Sequence, residues 1–137
     1  MAVSFVTQYS VFLANKPGAL SRLVQLFSEK GINLVGIASE VRDDSGVVRI
    51  AVEDGVDGAD VLIAAGFPVV ETPLLSVELP DRPAALFELT RAMADAQVNI
   101  TTVYGTALGG KTCRILFAVS DTQKGKSVIE GFLSAAK

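Results

Sequence analysis

The chain has 137 residues, 12 Lys+Arg against 15 Asp+Glu, a formal charge of −3 and no histidine, and half of its residues are hydrophobic. That composition sustains a folded core, as one ordinary domain or two very small ones, and removes the commonest proton shuttle and metal ligand at neutral pH. A lone Cys113 leaves no internal disulfide and no cysteine-rich metal site, and scattered cations in an acidic chain argue against nucleic acid as a partner.

Residues 1–15 carry no charge, but they lack a basic n-region and Thr7, Gln8, Tyr9 and Ser10 interrupt the apolar run, so they read as a strand rather than a signal peptide. Val11 and Leu13 lead into Asn15-Lys16-Pro17, where asparagine suits a helix N-cap and proline suits the first turn. Leu20, Leu23, Val24 and Phe27 then follow i, i+3, i+4, i+7 spacing, one apolar helical face, which Gly31 terminates. Ile32–Val41 reads as a strand, Asp43-Asp44-Ser45-Gly46 as its turn and VVRIAV at 47–52 as the return strand. A second helix is expected from about Asp57 to Ala65, closed by Gly66, with a strand at Phe67–Glu71 behind it. The longest apolar stretch, Val61 to Val70, is about half the roughly 20 residues that a membrane helix needs. A cytoplasmic protein, neither secreted nor membrane-bound, is the expectation.

The remainder repeats this order. At an offset of 66, SVFLANKPGALSRLVQLF at 10–27 lies over SVELPDRPAALFELTRAM at 76–93, pairing Pro17 with Pro83, Leu20 with Leu86 and Leu23 with Leu89. Asn33 meets Asn99, and with a one-residue shift VVRIAV matches TCRILF at 112–117. In the second copy the first helix carries Leu86, Leu89, Thr90 and Met93, and Gln97 stands where Gly31 ended the first. Val98–Leu108, a turn at Gly109-Gly110 and a return strand follow. Asp121 then caps a last helix with Val128, Ile129, Phe132 and Leu133 on its buried stripe. Two copies of one βαββαβ unit are implied: an α+β fold with antiparallel four-stranded sheets and helices on one face. The expected domains are 8–72 and 73–137. The second copy has no fourth strand of its own, and residues 2–7, of which 3–7 overlie 69–73, are predicted to supply it, within the chain or across a dimer. The alternative is a frayed N-terminus beside an open sheet edge.

NKPGALSRLVQLFSEKGINLVGI resembles the signature stretch of ACT domains, small βαββαβ regulatory modules. In those modules the loop after the first strand reads roughly Asp/Asn-x-Pro-Gly-x-Leu, and the helix ends in Gly-Ile/Val-Asn-Ile/Leu. DRPAALFELTRAMADAQVNI resembles it too, with Ala84 in place of the loop glycine and Gln97 in place of the glycine before Val98. The resemblance implies a stand-alone tandem ACT protein without a catalytic domain, which binds a free amino acid and works as a homodimer or as a subunit of a metabolic enzyme. It also implies a ligand between the loop of one domain and the second strand of a neighbour. Carried over residue by residue, the binding positions are Asn15, Lys16, Pro17, Gly18, Ala19 and Leu20 with Ile32, Asn33 and Leu34. In the second copy they are Asp81, Arg82, Pro83, Ala84, Ala85 and Leu86 with Asn99 and Ile100.

Elementary chemistry is compatible with such a site. A helix N-terminus presents unpaired N–H groups to a carboxylate, Gly18 gives clearance, Asn15 or Asp81 accepts from an ammonium, and Asn33 and Asn99 both donate and accept beside the loop. Each residue also has a purely structural reading: Asn15 and Asp81 as caps, the prolines as first-turn residues, Asn33 and Asn99 as turn formers, Lys16 and Arg82 as solvated charges. Ala84 adds a methyl group where glycine gives clearance, so the second site is the weaker one. No catalytic residue, cofactor or metal is implied. Cys113 shares strand parity with Ile115 and Phe117 as a small buried hydrophobe, Arg49 and Arg114 reach the sheet's open side, and no Walker-type or dinucleotide glycine motif is present. The rival reading is a non-enzymatic interaction subunit with a vestigial pocket, such as the small regulatory subunit of acetolactate synthase.

Overall fold

A computed structural model describes residues 3–135; Met1, Ala2, Ala136 and Lys137 lie outside the described residues, and with them the first residue of the predicted 2–7 strand and the last two of the predicted second domain. The elements run β1 (Val3–Ala14), α1 (Ala19–Glu29), β2 (Gly36–Arg42), β3 (Ser45–Glu53), α2 (Gly58–Ala64), β4 (Glu71–Pro80), α3 (Ala85–Asp95), β5 (Ile100–Ala107), β6 (Thr112–Val119) and α4 (Thr122–Ala135). The chain divides into two compact units: Val6–Thr72, called the first, and the N-terminal residues up to Phe5 joined with the chain from Pro73 onward, called the second. Both boundaries fall inside strands, β1 and β4, rather than in a linker.

In the first unit β3 pairs antiparallel with β2 on one side and β1 on the other, with Tyr9 opposite Ile50 and Val11 opposite Val48. Alternation puts Tyr9, Val11, Val48, Ile50 and Val52 on the helix side of the sheet, where Leu23 and Phe27 of α1 and Val61 and Leu62 of α2 complete one core. Leu23 and Phe27 are fully buried and sit four apart on the apolar stripe, so each stabilises the unit by about 1.5–3 kcal/mol of transfer free energy. The predicted strand at Phe67–Glu71 forms only at its end. Residues 67–70 are irregular, the N–H of Ser10 donates to the carbonyl of Val70 at 3.0 Å, and regular β4 begins at Glu71. Phe67 and Val69 still pack on the core, so their apolar character reports burial rather than strand geometry.

The second unit repeats the plan. β6 pairs antiparallel with β5 and β4, and Leu75, Val77, Leu79, Ile115 and Phe117 face Leu89 and Met93 of α3 and Ile129 of α4. Val3 and Phe5 of β1 pack against this core, as do Cys113, Val128, Phe132 and Leu133. The ammonium of Lys126 stands 5.6 Å over the Phe5 ring, a cation–π contact that pins the N-terminal strand to α4.

The helices start and stop through backbone geometry. α1 ends in a Schellman motif: the N–H of Gly31 donates to Ser28 O and that of Ile32 to Phe27 O, both at 3.0 Å, with Gly31 at φ 67°. α3 ends the same way through Gln97 to Ala94 O and Val98 to Met93 O, both 2.9 Å, although Gln97 is not glycine and sits at φ 62°. The starts differ from expectation. Both helices begin two residues after the proline, at Ala19 and Ala85, and their N-caps are Gly18 and Ala84 in the left-handed region, with no side-chain cap. Asn15 and Asp81 therefore cap neither helix. By contrast Asp57 and Asp121 do serve the starts of α2 and α4, accepting from Asp60 N at 3.2 Å and Lys124 N at 3.1 Å. No helix among the described residues is long and apolar enough to cross a membrane.

Candidate functional site

The loop between β1 and α1 in the first unit is tied to the β2–β3 turn. The N–H of Asn15 donates to Asp44 O at 2.8 Å, and its side-chain Nδ2 donates to Asp43 O at 3.2 Å. The turn itself is short, with Arg42 paired to Ser45 and Asp43 at φ 56°, so its carbonyls project toward the loop. Asn15 thus spends its amide on the hairpin, and its side-chain carbonyl accepts none of the hydrogen bonds among the described residues. The loop then turns through Pro17 and Gly18, and α1 begins with Ala19 N donating to Lys16 O at 3.3 Å and Arg22 N to Gly18 O at 3.0 Å. The amides of Leu20 and Ser21 fall at the second and third helical positions, which have no intrahelical acceptor.

Between this loop and the hairpin lies a cavity of about 180 Å³, lined on one side by Leu13, Asn15, Lys16, Ala19 and Leu20 and on the other by Ser39, Glu40, Val41 and Gly46–Val48. It is the size of about six waters, smaller than the ordinary ligand pocket of about 300–1,000 Å³, so it has room for the charged end and a small side chain of a metabolite. Its lining carries one cation, Lys16, one anion, Glu40, and the Asn15 amide. Glu40, itself exposed, is also 3.7 Å from the half-buried Arg49, a loose pair that holds it weakly. Of the residues predicted from the first signature loop, Asn15, Lys16, Ala19 and Leu20 line the cavity, whereas Pro17 and Gly18 shape the loop without lining it.

Ile32, Asn33 and Leu34 lie elsewhere in the same unit. They follow the C-terminus of α1, and a helix of 11 residues is about 16 Å long, so within one unit Asn33 is not beside the loop. Ile32 instead lines a wider cavity of about 510 Å³ between α1 and α2, with Leu26, Glu29, Lys30, Asp57 and Asp60. Near this end the Tyr9 hydroxyl is raised above its usual pKa, first by burial and then by the Glu71 carboxylate, while backbone N–H groups of Ala59 and Gly58 oppose the shift. Asp60 is raised too, through its hydrogen bond to Asp57 and that group's charge.

The second unit keeps the backbone of the loop and changes its chemistry. Asp81 N donates to Lys111 O at 2.7 Å, the counterpart of the Asn15 bond, but a carboxylate has no proton to repeat the side-chain tether. Arg82 is held by Glu88, with Nη2 at 3.0 Å from Oε2, and it also donates to Pro83 O at 3.3 Å. Glu88 stands in the first turn of α3 where the first unit has Arg22, so this helix start already has a carboxylate and a cation paired over it. Ala84 is strained at φ 77°, Ala85 is buried in the core, and Leu86 is exposed. At the far end of α3 the N–H of Asn99 donates to the Ser120 hydroxyl at 3.1 Å and its carbonyl accepts from Ser120 N at 2.9 Å, a structural clasp ahead of Ile100 and β5. Among the described residues no group of three His, Cys, Asp or Glu side chains could hold a metal ion.

Sequence reasoning missed Ser39, Glu40 and Val41. Their signal is register: a two-residue turn at 43–44 folds β2 and β3 so that position 40 faces position 47, next to the loop that Asp43 and Asp44 anchor.

Comparison with known proteins agrees with this architecture. The family model for the ACT domain pair matches residues 4–133. No curated protein sequence matches the chain. Protein BT0572 from Bacteroides thetaiotaomicron has a similar fold, with a TM-score of 0.85 at 24% identity over 94% of this chain and 89% of that one. The regulatory subunit of aspartate kinase from Thermus thermophilus matches with a TM-score of 0.68 at 14% identity, over 96% of each chain. Aspartate kinase from Synechocystis matches with a TM-score of 0.68 at 13% identity, over 97% of this chain and 27% of that longer one. At these identities the structures establish likeness of fold. The family match spans nearly the whole sequence, both of its repeats included, and the chain belongs to the family of ACT domain pairs.

Proposed function

We propose that the protein is a regulatory sensor that binds a free amino acid at the β1–α1 loop of its first unit and passes the signal on through the packing of ACT domains. The observation that carries this reading is the charge arrangement of the 180 Å³ cavity: Lys16 for a carboxylate, Glu40 for an ammonium and Asn15 for either, around room for a metabolite's charged end and a small side chain. The second unit is the degenerate copy, its cation neutralised by Glu88. Transmission is linkage: a ligand that binds one packing of the domains more tightly shifts the population toward it, and only by that difference in affinity. The reader of that packing is a second copy of the chain or an enzyme subunit, a division of labour for which the separate regulatory subunit of the Thermus aspartate kinase is the structural parallel.

The test is a thermal-shift panel of the twenty amino acids on the purified chain, with Asn15→Ala and Lys16→Ala alongside. A ligand present at about 100 times its dissociation constant adds roughly 2.7 kcal/mol, several degrees for a chain of this length. A selective shift that both variants lose supports the sensor; a flat panel refutes free-amino-acid sensing and leaves an interaction subunit.

A further inference from the structure

A second cavity of about 500 Å³ opens on the other flank of the same loop, where Phe12, Leu13 and Phe67 form an apolar wall and Lys16 and Arg22 a cationic rim. Its chemistry differs from the hairpin-side cavity in one decisive way: two cations line it and no carboxylate does. Its volume falls within the ordinary range for ligand sites, about 300–1,000 Å³. Phe12 is 68% exposed and alternates with Val11 and Leu13 along β1, so its ring stands on the strand's other face, at the rim of this cavity. The repeat shows that this character belongs to one copy. Phe12 corresponds to Glu78, Arg22 to Glu88 and Leu26 to Ala92, so the equivalent surface of the second unit is acidic and less apolar. There the remaining cation, Arg82, is consumed at 3.0 Å by Glu88.

We propose that this cavity binds an organic monoanion with a single aromatic or branched apolar body and no ammonium group. Phe12, Phe67 and Leu26 cover the body, and Arg22 with Lys16 takes the carboxylate. A guanidinium offers a planar fork of donors to a carboxylate, which makes Arg22 the main anchor. A zwitterionic amino acid is disfavoured, because its ammonium would sit beside two cations with no anion to receive it. The site is distinct from the amino-acid cavity: the two share Leu13, Ala14, Lys16 and Ala19, while Arg22, Phe12 and Phe67 line only this one.

The experiment is calorimetric titration of the full chain with 3-phenylpropionate, L-phenylalanine and acetate, with amide NMR shifts to place the site. 3-Phenylpropionate is expected to bind at least tenfold more tightly than either of the others and to shift residues around Phe12, Arg22 and Phe67. Arg22→Glu and Phe12→Glu, which install the second repeat's residues at exposed positions, should each weaken it at least tenfold. Arg22→Lys should retain part of the affinity. Absence of binding at millimolar concentration, equal affinity for L-phenylalanine at the same residues, or indifference to both glutamate variants would overturn the proposal. Arg22 and Phe12 line only this cavity, so the outcome of their glutamate variants is distinguishable from the amino-acid panel, whose Asn15→Ala arm reads the hairpin side of the loop.

Discussion

Exchanging the residues at the two helix starts should move stability in opposite directions. Gly18 has φ 87° and its counterpart Ala84 has φ 77°, so the fold demands a left-handed residue at both positions and only one copy supplies glycine. A left-handed conformation costs an L-residue about 1–2 kcal/mol, whereas glycine gives the unfolded chain extra freedom worth about 0.4–1 kcal/mol. The difference leaves Ala84→Gly stabilising by about 0.5–1 kcal/mol and Gly18→Ala destabilising by a similar amount. No steric term intrudes, since a Cβ added at Gly18 meets nothing within 4 Å. Gln97, at φ 62° where the first copy has Gly31 at 67°, should respond to glycine like Ala84. It lies at the other end of α3, so the double variant should be additive to within about 0.5 kcal/mol. Urea unfolding at constant m would read these changes as midpoint shifts. A destabilised Ala84→Gly, or a Gly18→Ala loss beyond about 3 kcal/mol, would refute the strain argument, since the latter requires a packing contact where the structure leaves open space.

Other positions make independent demands. A Cβ at Gly58 would stand 2.5 Å from Tyr9 Cε2 and 3.3 Å from Phe27 Cε1, both rings in the first core, so Gly58→Ala should cost about 1–3 kcal/mol in denaturant midpoint. Tyr9 has a raised pKa in the folded state, so its contribution is complete below the unfolded value of 10.0 and is lost as pH rises through the folded one. Unfolding measured at rising alkaline pH should therefore show a decline above about pH 10 that Tyr9→Phe reduces. Asn15→Ala removes one exposed tether to Asp43 O and should cost only about 0.5–1.5 kcal/mol, which makes a loss of ligand response in that variant interpretable as lost binding rather than lost fold.

Repetition makes most of the fold legible in the sequence. Leu20, Leu23 and Phe27 over Leu86, Leu89 and Met93 imply two equivalent helices from spacing alone, and Leu23, Phe27, Leu89 and Met93 are indeed fully buried. Leu20 and Leu86 break the rule: at 43% and 41% exposed they lie at the rim of each helix, and periodicity alone cannot separate rim from core. The helix starts depart from expectation for a related reason. Asn and Asp before proline match a capping signal, but the residue after the proline is the actual cap, and Asn15 turns its amide to a hairpin 28 residues away. That partner is a tertiary choice with no local signature. The same holds for Glu40, which reaches the loop only because a two-residue turn sets the register of β2 against β3.

The divergence of the two loops has an energetic consequence under the proposed function. In the second unit Glu88 places a carboxylate in the first turn of α3, where the helix dipole favours it by about 0.3–1 kcal/mol, and it also bonds Arg82. The first unit has no acid in the first turn of α1 and gathers Lys16 and Arg22 there instead, cations at the end of a helix that repels them. That arrangement lowers local stability until an external anion arrives, so a carboxylate ligand recovers in the first unit what Glu88 supplies permanently in the second. Amide hydrogen exchange separates the two: with ligand bound, protection should rise across residues 15–27 and stay level across 81–93. Equal gains at both loops would mean that Glu88 does not stand in for the ligand and that the second unit binds as well. Protection confined to residues outside both loops would place the ligand elsewhere, and the asymmetry of charge would then be a difference in helix stability alone.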